Sequence, residues 1–424
     1  MITKIKNKFK SEDNKRLLSN FISLSVLQGV NYILPLITLP YLVRVLGVEY
    51  FGLLAFATAT IAYFNIITDY GFNLTATKEI SVYREDKEKI VEIFSSVMTI
   101  KFILMLLSFV LLSVLVFSFE KFSTHWEIYY YTFGMVVGQV LFPIWFFQGM
   151  EKMKYITYLN ILSKTIFTVA VFIFVQEQND FYMVPIFTSL GFVIVGIWSL
   201  VLIKKDFDIF FNIQSLKTIK YYFKDGWDVF VSRIFVSLYT TTNMFLLGLF
   251  TNNVVVGYYS IAERIINAVG GLFIPANQAI YPYMAKLNQI NKEKFSMFVK
   301  NIGFSYLSVS FFLFFLLYAF GKNIIELIVG TNDINIQSIY FILIFTIITI
   351  PFGPLFTQVL IIQKQNKEFN KIVRNTFLFN ILIAPVMIYF LEAKGLAITV
   401  ILSQILVITL CLKTLQQGFK NARV

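Results

Sequence analysis

One cysteine, Cys411, in 424 residues leaves neither an intrachain disulfide nor a multi-cysteine metal site. The single histidine, His125, stands beside Trp126 and reads as an interfacial residue, not a metal ligand or proton relay. Charge is scarce as well. Only 14% of the residues are Asp, Glu, Lys or Arg, against 57% hydrophobic and 18% aromatic, and the mean hydropathy is +0.72. A water-soluble domain of that composition would aggregate. Charges that cluster between apolar runs are the mark of an integral, polytopic membrane protein. Neither a Walker phosphate loop nor a dinucleotide glycine fingerprint occurs, so there is no sign of an attached ATPase and any transport is secondary or facilitated. The formal net charge of +12 is distributed over alternate loops, not along one face, which argues for membrane topology and against a nucleic-acid partner.

What is present is a series of apolar segments of membrane-crossing length, since a hydrocarbon core of roughly 30 Å takes about 20 helical residues. The first pair, 17–39 and 52–67, is joined by a short turn at 44–49. Ten further spans are predicted at 91–117, 128–147, 156–175, 182–203, 227–250, 254–281, 301–320, 337–362, 372–391 and 396–412. The basic N-terminal arm is followed by a retained first helix, because no short apolar region ending at a small-residue cleavage site is present. Of the 36 Lys and Arg residues, 28 fall in the termini and one set of loops, whereas Arg44, Lys121, Lys322 and Lys394 are the 4 in the opposite loops. By the positive-inside rule both termini are cytoplasmic.

All nine prolines lie in or at the ends of these spans. Proline bends a helix and frees a carbonyl, tolerated in a bilayer where neighbouring helices or a wet cavity satisfy it. A faint repeat pairs the segment beginning at Gly52 with that beginning at Gly257, each just after an outward turn. The expected architecture is all-α: about twelve transmembrane helices in two parallel six-helix lobes, 1–203 and 227–424, around a central cavity. The cytoplasmic linker 204–226 reads as an amphipathic surface segment.

The remaining four basic residues are inside spans. Lys101 lies about 15 Å along its helix and Arg264 is equally deep, while Lys164 and Arg233 lie about 12 and 10 Å in. A charge facing lipid at the centre costs about 3 kcal/mol, so these residues are expected to face a wet interior. The nearby acids are Glu263 beside Arg264, Asp228 near Arg233, and Asp69 at the end of the second span. An ion pair of Lys101 or Arg264 with Asp69 or Glu263 is the structural alternative, and Lys164 and Arg233 can snorkel. Glu263, Asp69 and Asp228 are the candidates for coupling to a proton or sodium ion; no other cofactor is expected. Span amides such as Gln28, Asn31, Asn65, Asn243, Asn267, Asn277, Gln278 and Gln358 could contact sugars or pack helices. The string Asp206-Phe207-Asp208 has the DxD form by which glycosyltransferases hold a metal and nucleotide phosphates, but its loop is far shorter than a catalytic domain.

The motifs Leu39-Pro40-Tyr41, Arg44-Val45-Leu46-Gly47, Phe51-Gly52, Asp69-Tyr70-Gly71 and Thr75-Ala76-Thr77 resemble the opening of Wzx-type oligosaccharide flippases. So do Trp145-Phe146-Phe147-Gln148-Gly149 with Glu151, and Tyr281-Pro282. Lys78 stands where these proteins more often carry arginine. The resemblance covers nearly the whole chain and implies the multidrug/oligosaccharidyl-lipid/polysaccharide exporter fold, with two lobes alternating around a cavity. It implies a bacterial inner membrane and an undecaprenyl-pyrophosphate-linked oligosaccharide as cargo, with a polysaccharide polymerase and glycosyltransferases of the same pathway as partners. No catalytic residue is expected. Lys101, Arg264, Lys164, Arg233 and Arg44 are then the candidates for the pyrophosphate or glycan, because Lys and Arg make charge-assisted bonds to phosphate oxygens. The competing readings are a small-molecule or drug exporter of the same superfamily and a membrane glycosyltransferase or polymerase.

Overall fold

The computed structural model describes the backbone of residues 12–421, and side chains from 26 to 415 other than 32, 228, 232, 233, 235–237, 239 and 240. The basic arm at 1–11 lies outside the described residues. Those described are almost wholly helical, with no strand among them. Eight helices are long and apolar enough to cross a membrane, and Thr241–Phe250 is a shorter apolar one. The protein is therefore an all-α, multi-pass membrane protein.

Two of the eight are too long for one crossing. Val26–Val82 and Asn366–Leu415 run to 57 and 50 residues, or roughly 85 and 75 Å at 1.5 Å per residue. The first is broken at Gly47 (φ 76°, ψ 169°) and again at Tyr70-Gly71, and the last at Glu392 (φ 49°, ψ −129°). The turn expected at 44–49 is thus made at one glycine, whose missing Cβ lets the chain take a positive φ. Proline marks other breaks. Pro143 separates Trp126–Leu141 from Ile144–Gly149, and Pro351 stands between Thr346–Thr349 and Phe352–Ile362. Pro282 and Pro385 are carried inside helices.

Two compact units divide the chain. One comprises Met1–Thr38 and Thr60–Ile234; the other comprises Leu39–Ala59 and Phe235–Val424. The first has a core of Ile93, Val97, Trp145, Phe146, Phe147 and Ile203, each at most 1% exposed. Along its helices Trp126–Leu141 and Met183–Phe207, Gly134 meets Ser189 and Gly138 meets Phe192. Small residues at four-residue spacing bring membrane helices close enough for dispersion and weak polar contacts to hold them. The second unit is built around Phe295, Leu355, Val359, Leu360 and Met284.

Within the linker expected at 204–226, Met183–Phe207 continues through Lys204 and Lys205 and the next helix starts at Leu216, so the irregular part is 208–215. The segment between them is pinned to the first unit. Asp208 pairs with Lys87, the Tyr155 hydroxyl donates to Asp206 at 2.8 Å, and the Asn212 N–H donates to Ser95 Oγ at 2.9 Å. Tyr222 donates to Glu92 Oε1 at 3.0 Å, and burial followed by the Glu92 carboxylate raises its phenol above the ordinary value. Both acids of the DxD string are thereby engaged with side chains of this unit. Among the described residues no group of three His, Cys, Asp or Glu could hold a metal.

Candidate functional site

In the first unit the two motif stretches are brought into contact. The helix Phe72–Val82 packs on Ile144–Gly149. Thr77 Oγ1 lies 3.2 Å from the Trp145 carbonyl and 3.3 Å from Gln148 Oε1. Arg84 donates to the Gly149 carbonyl from Nε at 3.1 Å and Nη2 at 2.9 Å, and pairs with Glu151 at 2.9 Å. A guanidinium supplies this fork of donors where an ammonium cannot. Glu151 holds a positive φ of 55°.

The turn Asp69-Tyr70-Gly71 precedes that helix with φ of 47° at Tyr70 and 78° at Gly71. A non-glycine residue in the left-handed region needs surroundings that enforce it. Here they are aromatic. The Tyr70 ring stacks on Phe223 at 4.7 Å and Phe230 at 4.9 Å, and tilts against Phe72 and Trp227. The Tyr70 hydroxyl is buried with no hydrogen-bond partner, so the ring and not the hydroxyl holds the turn. Asp69 accepts from Asn73 one turn later.

Lys101 lies on the neighbouring helix Lys87–Ser118 and is 2% exposed. The sequence expects it to face a wet interior; it is instead enclosed by protein. Lys101 and Asp69 both belong to the first unit. Lys164 is half-buried on Met153–Phe174. Arg233 and Asp228 belong to Leu216–Phe250, and their side chains lie outside the described residues.

The second unit holds the other charged cluster. Arg264 is exposed on Asn253–Gly270, its guanidinium carbon 4.8 Å from the centre of the Phe51 ring, a cation–π contact. Glu263 is half-buried beside it and receives a long 3.4 Å hydrogen bond from Tyr259. Arg44 is placed apart. Its guanidinium donates to the carbonyls of Leu327 and Ile328 at the end of Lys292–Val329, against Gly330 at φ 84°. Cations suit a helix C-terminus, where the last carbonyls have no intrahelical donor. Arg44 thus has a structural occupation.

Close to Phe51 the two repeat glycines meet. A Cβ on Gly52 would stand 1.9 Å from the Asn253 oxygen, and one on Gly257 would stand 2.2 Å from the Val48 oxygen. Each glycine touches the carbonyl four residues before the other. That reciprocity is what a local two-fold relation between the repeats at Gly52 and Gly257 produces.

Among the amides, Asn277 is absorbed by packing: it donates to the Phe273 carbonyl and accepts from Tyr306. Asn65 Oδ1, Asn243 Oδ1 and Gln358 Oε1 are enclosed by protein without a hydrogen-bond partner. Sequence reasoning passed over Asn73 and Tyr259, partners of Asp69 and Glu263, and named Phe51 in a motif but not as a partner of Arg264. The spacing i, i+4 was the available signal for the first two.

Residues 17–288 match the family described as polysaccharide biosynthesis protein. Two curated relatives carry the name "Putative O-antigen transporter". That of Escherichia coli (strain K12) is 33% identical, over 93% of this chain and 95% of its own length. That of Shigella dysenteriae is 27% identical, over 94% and 99%. Among solved structures, the lipid II flippase MurJ in an inward closed conformation superposes with a TM-score of 0.77 at 14% identity, over 93% of this chain and 87% of that one. An inward-facing multidrug resistance MATE family transporter of the MOP superfamily gives 0.72 at 14%, over 92% and 94%. The fold is thus that of the MurJ and MATE transporters, and the chain belongs to the polysaccharide biosynthesis protein family, in its Wzx-type branch.

Proposed function

We propose that this protein is a flippase that moves a lipid-linked oligosaccharide across the bacterial inner membrane, with undecaprenyl-pyrophosphate-linked repeat units of O-antigen or a similar surface polysaccharide as cargo. The near full-length similarity to a relative named "Putative O-antigen transporter" carries this reading. Twelve spans, cytoplasmic termini and two lobes, 1–203 and 227–424 joined by 204–226, would let a cationic cavity face the two sides in turn. Cargo drives such a cycle only if it binds the two states differently. Arg264 and Lys164, being exposed and half-buried, are the cations able to meet a pyrophosphate first. Lys101 would act from beneath the surface, and Arg233 and Asp228 complete the set. Glu263, with Tyr259 and Arg264 beside it, is the acid we assign to proton or sodium coupling. A polymerase and glycosyltransferases of the same pathway would act on either side of this step.

The reading is tested in cells lacking the gene and any redundant flippase. They should accumulate lipid-linked repeat units on the inner leaflet and lose surface polysaccharide, and the wild-type gene should restore both. Arg264→Ala should fail to complement at normal protein level, and Arg264→Lys should complement in part, since charge survives without the bidentate fork. Intact surface glycan in the deletion strain removes the assignment. Drug efflux without that defect would favour the small-molecule exporter.

A further inference from the structure

The linker between Phe207 and Leu216 leaves an unusual surface. Outside the membrane-crossing helices, Phe210 and Phe211 are 52% and 54% exposed, and Ile213 and Leu216 are 86% and 85% exposed. Large side chains so exposed in a stretch of irregular backbone are costly in water. Their depth is fixed by the hydrogen bonds that pin the linker. Asp208 is held at Lys87, the first residue of Lys87–Ser118, and Asn212 at Ser95 further along the same helix. Eight helical residues rise about 12 Å. Four extended residues cover about 13 Å. The linker therefore runs beside the helix from its polar end to the depth of its apolar stretch, and then returns to Glu92 through Tyr222.

The helix that follows is two-faced. Ile219, Tyr222 and Gly226, at three- and four-residue spacing, are turned to the first unit. Lys217, Lys220, Tyr221 and Lys224, with Leu216, are exposed on the opposite side. Lysines above an apolar row match a bilayer interface, where the stems lie along lipid and the ammonium groups reach phosphate.

We propose that the linker is a membrane anchor seated in the adjoining leaflet, with Phe211, Ile213 and Leu216 at the acyl boundary and Lys217, Lys220 and Lys224 on the phosphates of anionic phospholipid. On the proposed topology that leaflet is cytoplasmic. Anionic lipid attracts such a cluster because each lysine near the charged surface adds to the electrostatic attraction.

The experiment uses the full chain with Cys411→Ser, labelled with an environment-sensitive fluorophore at Ile213→Cys and reconstituted in nanodiscs. The label should emit as in an apolar medium and be quenched by lipids brominated on their acyl chains but not by aqueous iodide. A label at Thr331→Cys, on the exposed loop after Val329, should behave oppositely. Quenching at 213 should be stronger in phosphatidylglycerol than in phosphatidylcholine, and the variant K217Q/K220Q/K224Q should lose that difference. An iodide-accessible label blind to brominated lipid overturns the anchor. Quenching equal in both lipids and unchanged by the triple variant overturns the role of anionic phospholipid. A label that becomes apolar only on addition of soluble proteins assigns the face to a protein and overturns the proposal.

Discussion

The reciprocal contact of Gly52 and Gly257 makes a quantitative test of the repeat. Alanine at 52 would put its Cβ 1.9 Å from the Asn253 oxygen and 2.5 Å from the Gly257 nitrogen, where ordinary contact begins at 3.4 Å. Both obstacles are backbone atoms and cannot rotate away, so the two helices must part by about 1.5 Å locally. Overpacking of this kind costs about 1–3 kcal/mol. Against it stands the gain of about 0.8–1 kcal/mol for alanine over glycine in a helix. Gly303→Ala, with nothing within 4 Å, isolates that gain and is the reference. Gly52→Ala and Gly257→Ala should each lower stability relative to it. The double variant should cost less than their sum by about 0.5–3 kcal/mol, because one separation of the helices accommodates both methyls. Thermal unfolding of the purified protein in one detergent reads all four. Strict additivity, or a Gly52→Ala as stable as Gly303→Ala, would refute the reciprocal contact.

Tyr70→Phe should leave stability unchanged or raised, since the lost hydroxyl is buried without a partner, whereas Tyr70→Ala should cost about 3–5 kcal/mol by emptying the aromatic stack; detergent unfolding separates them. Arg84→Ala should cost about 1.5 kcal/mol, the low end for bonds to a charged group because its side chain is 24% exposed, and Arg84→Lys should recover only part of it in the same assay. Lys101→Glu should reduce the yield of folded protein and Lys101→Met should not, because the position is 2% exposed and a carboxylate there would be enclosed by protein, read by size-exclusion chromatography. In a Cys411→Ser background, Thr331→Cys should react with an impermeant thiol reagent from outside the cell and Gln289→Cys should not; the reverse would invert the topology.

How far the sequence carried these conclusions differs by residue. The long apolar helices were legible because a fixed hydrocarbon thickness demands long apolar runs, although 227–250 and 254–281 are not among the eight helices long and apolar enough to cross. The break at Gly47 was legible because turn residues there separate two runs. Facing was not legible. A helix apolar all round has no polar side to mark its exterior, so the depth of Lys101 could be counted while its enclosure could not. The stretches around Asp69-Tyr70-Gly71 and Trp145–Glu151 stood out as motifs, yet only folding shows Arg84 joining them through the Gly149 carbonyl. Asp206 and Asp208 invited a metal reading by their spacing, yet Asp206 accepts from Tyr155 at the end of its own helix and Asp208 anchors the linker at Lys87, partners remote in sequence. Arg44 looked like a cargo residue by charge alone and caps a helix more than 280 positions away.

Translocation itself is most directly measured by reconstituting the purified protein in sealed proteoliposomes with a lipid-linked oligosaccharide in both leaflets and following its accessibility to an added, membrane-impermeant glycosidase. With the wild-type protein the glycosidase should consume the inner-leaflet pool as well as the outer one. Arg264→Ala vesicles should stop at the outer pool, and Glu263→Gln vesicles should lose any response to an imposed pH or sodium gradient. Wild-type vesicles that stop at the outer pool, with or without a gradient, would contradict the flippase assignment.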